Sequence, residues 1–448
     1  MMLQVSVSTI RDLIETSDTG QLAAVSAQIH ASDWADMIQQ LDDDELGRLI
    51  DLVPGEARVQ ILAELDPAAA AELLESGTVR HSASILSEMD PDDAADVIGE
   101  MEDDRAGKVL AALSEADSTT LRELLAYPED TAGALMTPEF VAIAPTLRAD
   151  QAIEALRAIA ADTEVVNYVY VLDKQDILLG VLSLRNLVLA QPSALVHDLM
   201  IAPAVSISVR SDSQTAAELL RDRNLLALPV VDEDQRLVGV ITHDDALEVI
   251  EDELADDYFK LAGTDADEMS RRSPLQIARL RLPWLFGTMI LELFAGLVIH
   301  NYDNVLQQVI LLASFMPVIS ATSGNVGLQA AAIVVRGLDT GHVTLADWKR
   351  HVSRELTTSL IMAASCGLVL GIVGVVWSRH LPFGLVIGGA LTASMLTAGL
   401  MGTLIPMISK RLGFDPATTA GPFETAFQDI IGFGVFLWLA SLMIDFIK

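Results

Sequence analysis

The sequence predicts a mixed fold: an N-terminal α-helical solenoid, two tandem α/β units, a connecting helix and a five-helix α transmembrane domain. Three observations carry that reading: a 24-residue repeat over residues 38–121, a duplicated strand-pair pattern between Thr137 and Asp245, and five long apolar stretches beyond Arg281. Composition agrees, because 51% of the 448 residues are hydrophobic and the mean hydropathy is +0.40, high for a wholly soluble chain. Charge is also divided. Residues 1–272 hold 54 of the 63 acids and 18 of the 28 bases, whereas residues 273–448 hold 9 and 10. An acidic excess of this size repels nucleic acid and anionic headgroups, so no nucleic-acid partner is expected and cations are favoured. A merely solubilising surface accounts for the same excess.

The solenoid, expected over residues 1–132, is read from Ile38-Gln-Gln-Leu41-Asp42, Leu62-Ala-Glu-Leu65-Asp66, Leu86-Ser-Glu-Met89-Asp90 and Leu110-Ala-Ala-Leu113-Ser114, which stand in register. Apolar residues three apart, an Asp or Ser, and then a second apolar turn suit pairs of short helices. The Asp-Pro steps at 66–67 and 90–91 read as an N-cap followed by the first helical position. Nothing in the repeat resembles a catalytic set, and no enzymatic activity is expected.

The two α/β units are expected at 133–198 and 199–256. Each ends in two short apolar strands joined by a polar turn: Tyr168 to Asp173 then Gly180 to Asn186, and Leu228 to Asp232 then Gly239 to Asp245. With Leu135-Met136-Thr137-Pro138 and Asp198-Leu199-Met200 at their starts, these units resemble a tandem pair of CBS domains. In that family a Ser/Thr-x-x-Asp at the end of the unit can hold the ribose and phosphates of a nucleotide. The second unit keeps it as Thr242 and Asp245 while the first has Asn186 in the acidic place, so the resemblance implies ATP at Thr242 and Asp245 as an open alternative.

A charged connecting helix is expected over 257–281, with Arg271, Arg272, Arg279 and Arg281 near its end. Five stretches long enough to cross a bilayer follow, near 282–300, 305–335, 354–378, 383–409 and 421–446. From Arg271 onward ten Lys and Arg precede the first stretch or follow the second or fourth, and only Arg379 and Lys448 fall on the other side. That asymmetry puts the N-terminal half in the cytoplasm and the C-terminus outside. No cleaved signal peptide is expected from the opening MMLQVSVSTIRDLIE. The single cysteine, Cys366, and the lack of His-x-x-x-His spacing leave oxygen atoms as the metal ligands.

An ionisable residue inside a spanning helix costs several kcal/mol when unpaired and is a functional candidate for that reason. Asp429 is the prime case, about 10 Å into the last stretch at 1.5 Å per residue, and Pro422, Thr425 and Gly432 share its face as expected pore-lining positions. The second stretch is expected to be interrupted at Met316-Pro317 and again over Ser320 to Gln329, which would place Asn325 beside the pore. Asp303 is a candidate cation collector at an outer vestibule or simply a loop acid. Glu424, about 140° around the helix from Asp429, reads as a mouth or interface residue. In the acidic half, Asp245, Glu248, Asp252 and Asp256 form one ridge opposite Leu247, Ile250 and Leu254, while Asp92 and Asp96 stand four apart in the solenoid. Like charges so placed repel unless cations lie between them.

Arg281-Leu-Pro-Trp284, Pro317 with Gly324-Asn325-x-Gly327-x-Gln329, Asp347-Trp348, and Asp415-Pro416 followed by Gly421-Pro-Phe and Asp429-x-x-Gly432 resemble the membrane domain of the MgtE magnesium channels. The order of domains resembles that family over nearly the whole chain. The resemblance implies a homodimer in the bacterial inner membrane and a pore along the subunit interface with Asp429 as its central Mg²⁺ site; the acidic ridges themselves carry the expectation that cytosolic Mg²⁺ bridges Asp92, Asp96, Asp245, Glu248, Asp252 and Asp256 and closes the pore by negative feedback, a direction that the resemblance supports. Glu424 departs from the apolar residue expected at its position. Mg²⁺ prefers near-octahedral oxygen and sheds its water reluctantly, which suits one carboxylate per subunit around a hydrated ion. A secondary transporter of Co²⁺ or Mn²⁺, an intramembrane aspartyl protease, and a nucleotide sensor with a plain membrane anchor are the competing readings.

Overall fold

The computed structural model describes residues 6–159, 167–264 and 274–447, and it divides into two units, Met1–Asp252 and Glu253–Lys448. In the first unit, short helices run from Val7–Thr16 to Glu115–Leu124. The register positions Ile38, Leu62, Leu86 and Leu110 are all buried in one core, so the 24-residue period is the spacing at which successive helix pairs return an apolar side chain to the interior. Asp42 closes a capping box with Glu45, Asp66 accepts from the amides of Ala68 and Ala69, and Ser114 accepts from Asp117. Asp90 takes the cap position before Pro91 without a side-chain cap bond.

Two three-stranded sheets follow. Strands β1 (Ala142–Ile143), β2 (Tyr168–Leu172) and β3 (Leu178–Ser183) form the first; β4 (Ile207–Ser208), β5 (Ala227–Val231) and β6 (Leu237–Thr242) form the second. In each sheet the first strand runs parallel to the second and the second antiparallel to the third, the arrangement that the duplicated pattern requires. Tyr170, Leu237 and Val240 form a small core between them. The helix His243–Ala262 starts directly at the end of β6.

Five helices of the second unit are long and apolar enough to cross a membrane: Pro274–Asn301, Ile310–Asp339, Leu345–Ser378, Leu381–Leu412 and Pro416–Leu442. They are called the first to fifth spans below. The expected connector over 257–281 is divided: its first residues close the helix ending at Ala262, residues 265–273, with Arg271 and Arg272, lie outside the described residues, and Arg279 and Arg281 belong to the first-span helix.

The second span corrects one expectation. Its break lies before Met316, where Ile310–Ser314 is a 3-10 turn, and the helix then runs unbroken from Met316 to Asp339 through Gly324, Asn325 and Gly327. Pro317 sits in the first helical turn, where its missing N–H costs nothing, and the glycines serve close packing rather than unwinding. A side chain on Gly402 of the fourth span would collide with the Gly327 carbonyl oxygen. The fifth span is jointed instead, as Pro416–Ala420 and Pro422–Leu442 meet at Gly421, where Leu261 packs so closely that a Cβ would strike its carbonyl oxygen.

Candidate ion sites in the membrane half and the acidic half

Asp429 lies two turns into the fifth-span helix and is 8% exposed. The Ser320 hydroxyl, one turn into the unbroken second-span helix, donates to Asp429 Oδ1 at 2.6 Å. A hydrogen bond to a charged carboxylate is stronger than one between neutral groups and fixes the rotamer, so Asp429 is both stabilised as an anion and aimed. Glu292 of the first span lies near enough for the Asp429 charge to act on it. Thr425 and Asn325 are exposed in the single chain, and the Thr425 hydroxyl donates to the Gly421 carbonyl at 3.4 Å. Pro422 opens the helix, but its side chain lies outside the described residues.

Gly432 does not share that exposed face. It is buried toward the fourth span, where an added Cβ would stand 2.6 Å from Ser394 Oγ. Gly432 stands only about 20° around the helix from Thr425 but two turns further along it, where Ser394 of the fourth span covers that face. Its expected pore-lining role is thereby corrected to helix packing.

Glu424 is a second correction. It is fully buried rather than at a mouth or an exposed interface, because its 140° offset from Asp429 turns it onto the glycine ridge of the second span. A side chain on Gly327 would collide with the Glu424 carboxyl. Neither carboxyl oxygen has a hydrogen-bond partner among the described residues. One turn on, buried Gln428 donates its side-chain N–H to Ser323 Oγ and, at 3.4 Å, to Ser394 Oγ. An unpaired ionised carboxylate at membrane depth costs several kcal/mol, whereas a helix N-terminus returns about 0.3–1 kcal/mol to one in its first turn. Asp303 begins the short helix Asp303–Gln308 and pairs with His300 at 2.8 Å.

In the first unit, Asp96 on the helix Pro91–Gly99 approaches Asp245 and Glu248 on the helix His243–Ala262. Desolvation by the surrounding protein first, then the charges of Glu248, Asp245 and Glu100, push the carboxyl of Asp96, an exposed residue, up to about 6. Burial likewise raises Asp245, against the Thr242 hydroxyl, which donates to its Oδ2 at 2.5 Å. The carboxyl of Glu248, also an exposed residue, is raised by desolvation and then by Asp252, Asp245, Glu251 and Glu64. The structure therefore brings together Asp96, Asp245 and Glu248, with Asp252 acting on the last. Asp92 stands half-buried in the first turn of the Asp96 helix. Among the described residues no group of three or more His, Cys, Asp or Glu is arranged to hold a metal ion.

Asp256 belongs elsewhere. In the second unit it pairs with Lys260 at 2.8 Å, and the same ammonium reaches Asp415 at 3.2 Å. Burial works against Asp415, but the Ala417 amide, Lys260 and Thr418 outweigh it and hold that carboxyl below its ordinary value. Burial and the charges of Asp339 and Asp415 lift the neighbouring Asp257 to about 6. Of the apolar residues opposite the expected ridge, Leu247 and Leu254 are exposed, whereas Ile250 packs on the first unit's core.

Sequence reasoning missed Ser320 as the partner of Asp429 and buried Gln428 with its two serines. A serine in an apolar helix signals only a small residue, and its use depends on which helix lies opposite.

Comparison with known proteins matches residues 316–439 to a divalent cation transporter family, MgtE. Residues 29–130 match the MgtE intracellular N domain, and 132–193 and 196–252 each match a CBS domain. A magnesium transporter MgtE of Enterococcus faecalis is 38% identical over 73% of this chain and 72% of its own length. Its counterpart from Thermus thermophilus is 34% identical over 72% of each chain. Among solved structures, the cytosolic domain of the Mg²⁺ channel MgtE in complex with ATP aligns with a TM-score of 0.52 and 32% identity, over 55% of this chain and 100% of that one. The soluble part of a magnesium transporter aligns with a TM-score of 0.52 at 28% identity, over 55% and 97%.

Proposed function

Since the chain belongs to the MgtE family of magnesium transporters, we propose that it works as a magnesium-selective channel in which Asp429 is the central cation site. The observation that carries this reading is the Ser320–Asp429 hydrogen bond, which presents a nearly buried carboxylate beside the exposed polar side chains of Thr425 and Asn325. In a homodimer the exposed faces of two copies would meet across an aqueous path, and two Asp429 carboxylates would balance one divalent charge. A hydrated Mg²⁺ needs few direct ligands and rigid oxygen donors around its water shell, which this pair supplies. Asp303, held by His300, would add negative charge at the outer end.

The chain is a multi-pass membrane protein with five spanning helices. The distribution of Lys and Arg favours a cytoplasmic N-terminal half and an outward C-terminus in the bacterial inner membrane. Gating is assigned to the acidic half. Asp96, Asp245 and Glu248 repel one another without a counterion, so cytosolic Mg²⁺ bridging them, with Asp92 and Asp252 nearby, would draw the helices together and favour a closed channel when magnesium is plentiful. Thr242 and Asp245, hydrogen-bonded at the mouth of the second α/β unit, are the residues that a nucleotide such as ATP would engage.

Purified protein in liposomes tests the central assignment. Asp429→Ala should abolish Mg²⁺ uptake while leaving folding intact, and unchanged uptake would remove Asp429 from the path.

A further inference from the structure

The helix that carries Asp429 holds a second acid, and its surroundings differ. Glu424 is 0% exposed, and both its oxygens lack a donor among the described residues. Gln428, one turn later and 1% exposed, has an unpartnered Oε1. The orientation of that amide is settled by its neighbours. The Ser323 hydroxyl gives its proton to the Ile319 carbonyl at 2.5 Å, so its oxygen accepts from Gln428 Nε2, and Ser394 Oγ stands 3.0 Å from the same oxygen. The amide nitrogen is thereby committed to the serines and the amide oxygen is left facing the ridge, 3.5 Å from where a Cβ on Gly324 would stand. Glu424 meets the same ridge three residues on, at Gly327. Three acceptors thus face one glycine ridge, and among the described residues none has a donor.

Among the described residues no cationic side chain bonds either Glu424 oxygen. The second span presents Ser323, Gly324 and Gly327, and its own charged residues, Arg336 and Asp339, lie roughly 13 Å or more beyond Gly327 along the helix. The fourth span presents Ser394 and Gly402, with Lys410 and Arg411 roughly 12 Å or more further on. Glu292 of the first span is a further acid and brings no positive charge. The helix start offers no specific bond either, since no side chain caps it and the Glu424 carboxyl is turned away onto Gly327. Contact with the Gly327 backbone also leaves no space for a hydrated metal ion. The missing donor has to be small enough to need no volume of its own.

We infer that Glu424 is a proton-binding site inside the membrane half: its carboxyl group is carried as the neutral acid, and its O–H is donated to the Gln428 amide oxygen. One proton gives the Gln428 amide oxygen its donor and leaves the second Glu424 oxygen a neutral carbonyl, at the i, i+4 spacing where side chains on a helix meet. The proton bridges two side chains of the fifth span and removes the charge that Glu424 would otherwise press against Gly327 of the second, and it keeps the Asp429 helix at one ionised carboxylate rather than two. Losing it would place a bare charge against the Gly327 backbone, so the site ties the packing of these two spans to protonation.

Infrared spectroscopy of the full-length protein in liposomes reads the proton directly, whether or not Asp429 is the ion site. The wild type should show a carboxylic-acid carbonyl band that moves down in D₂O and persists from about pH 6 to about pH 8, beyond the range of an ordinary glutamate. Glu424→Gln should lose that band and keep wild-type folding and Mg²⁺ uptake, because an amide of the same shape can donate its N–H to Gln428. Asp429→Asn should keep the band. Absence of the band in the wild type, its survival in Glu424→Gln, or failure of Glu424→Gln to fold or to take up Mg²⁺ would each overturn the assignment.

Discussion

Removing the Ser320 hydroxyl should weaken ion binding without dismantling the protein. Ser320 Oγ stands 2.6 Å from Asp429 Oδ1, and the serine is partly exposed, so Ser320→Ala deletes one donor and leaves little void. Hydrogen bonds to charged groups contribute about 1.5–3 kcal/mol, and each 1.4 kcal/mol is about tenfold in affinity. Asp429 sits beside a face that water can reach, so solvent replaces part of the lost bond and the lower end applies, about a tenfold loss. The consequence is double, since the carboxylate also loses the contact that fixes its rotamer. The assay is the Mg²⁺ concentration dependence of uptake into liposomes, with the thermal midpoint as the folding control. Half-saturation should rise about tenfold in Ser320→Ala and return in Ser320→Thr, which keeps the hydroxyl. A half-saturation unmoved in Ser320→Ala would show that the bond does not position the ion's ligand.

Two further outcomes follow from the same geometry. Because the folded value of Asp96, about 6, lies above its ordinary 3.8, the folded chain binds that proton more tightly than the unfolded chain does, and the stabilisation it brings is lost as pH rises through about 6. Mg²⁺ requires the ionised form, so magnesium-induced stabilisation of the acidic half should be full above that pH and fade below it. Asp96→Asn should remove this dependence and stabilise the metal-free protein at neutral pH by on the order of 1 kcal/mol after solvent screening, read by thermal unfolding with and without Mg²⁺. In the membrane half, Gly402→Ala should cost about 1–3 kcal/mol or prevent assembly, because its methyl would meet the Gly327 carbonyl, which cannot turn aside. Gly324→Ala, with its nearest neighbour 3.5 Å away, should fold normally, and equal thermal midpoints for the two variants would contradict the packing described.

What could be read from the sequence and what could not divide along a physical line. The 24-residue period, the duplicated strand pairs and the apolar spans are one-dimensional consequences of burial, and the structure places Ile38, Leu62, Leu86 and Leu110 inside as that period demands. Asp429 was legible because charge within an apolar helix is costly on any packing. The state of the second span was not, since Pro and Gly read alike as a break and as a close contact until the neighbouring helix is known. Pro317 begins a helix, and Gly327 admits Gly402 and Glu424. Angular position misled at Gly432 and Glu424 for a related reason: a helical wheel gives directions about one axis but does not say which of them meets protein. Asp256 fitted the acidic ridge by spacing alone, and its ammonium partner four residues on became decisive only when Asp415 was found on the same nitrogen.

The acids of this chain differ less in what they are than in what already satisfies them, and that difference sorts their roles. Asp256 and Asp415 share the Lys260 ammonium, so a divalent ion would have to displace a bound charge to use either. Asp429 accepts one hydroxyl on Oδ1 and stands beside the exposed Thr425 and Asn325, the setting for a site that must hold an ion and release it. Asp96, Asp245 and Glu248 have mainly one another, so a cation arriving among them relieves repulsion as well as gaining attraction, and the response should be steepest there. Glu424 is buried against Gly327 with neither oxygen partnered among the described residues, the setting from which a bound proton is inferred. Magnesium sensing is therefore expected to survive replacement of Asp256 and to fail on replacement of Asp96 or Glu248, the reverse of what a ridge defined by helical spacing alone would give.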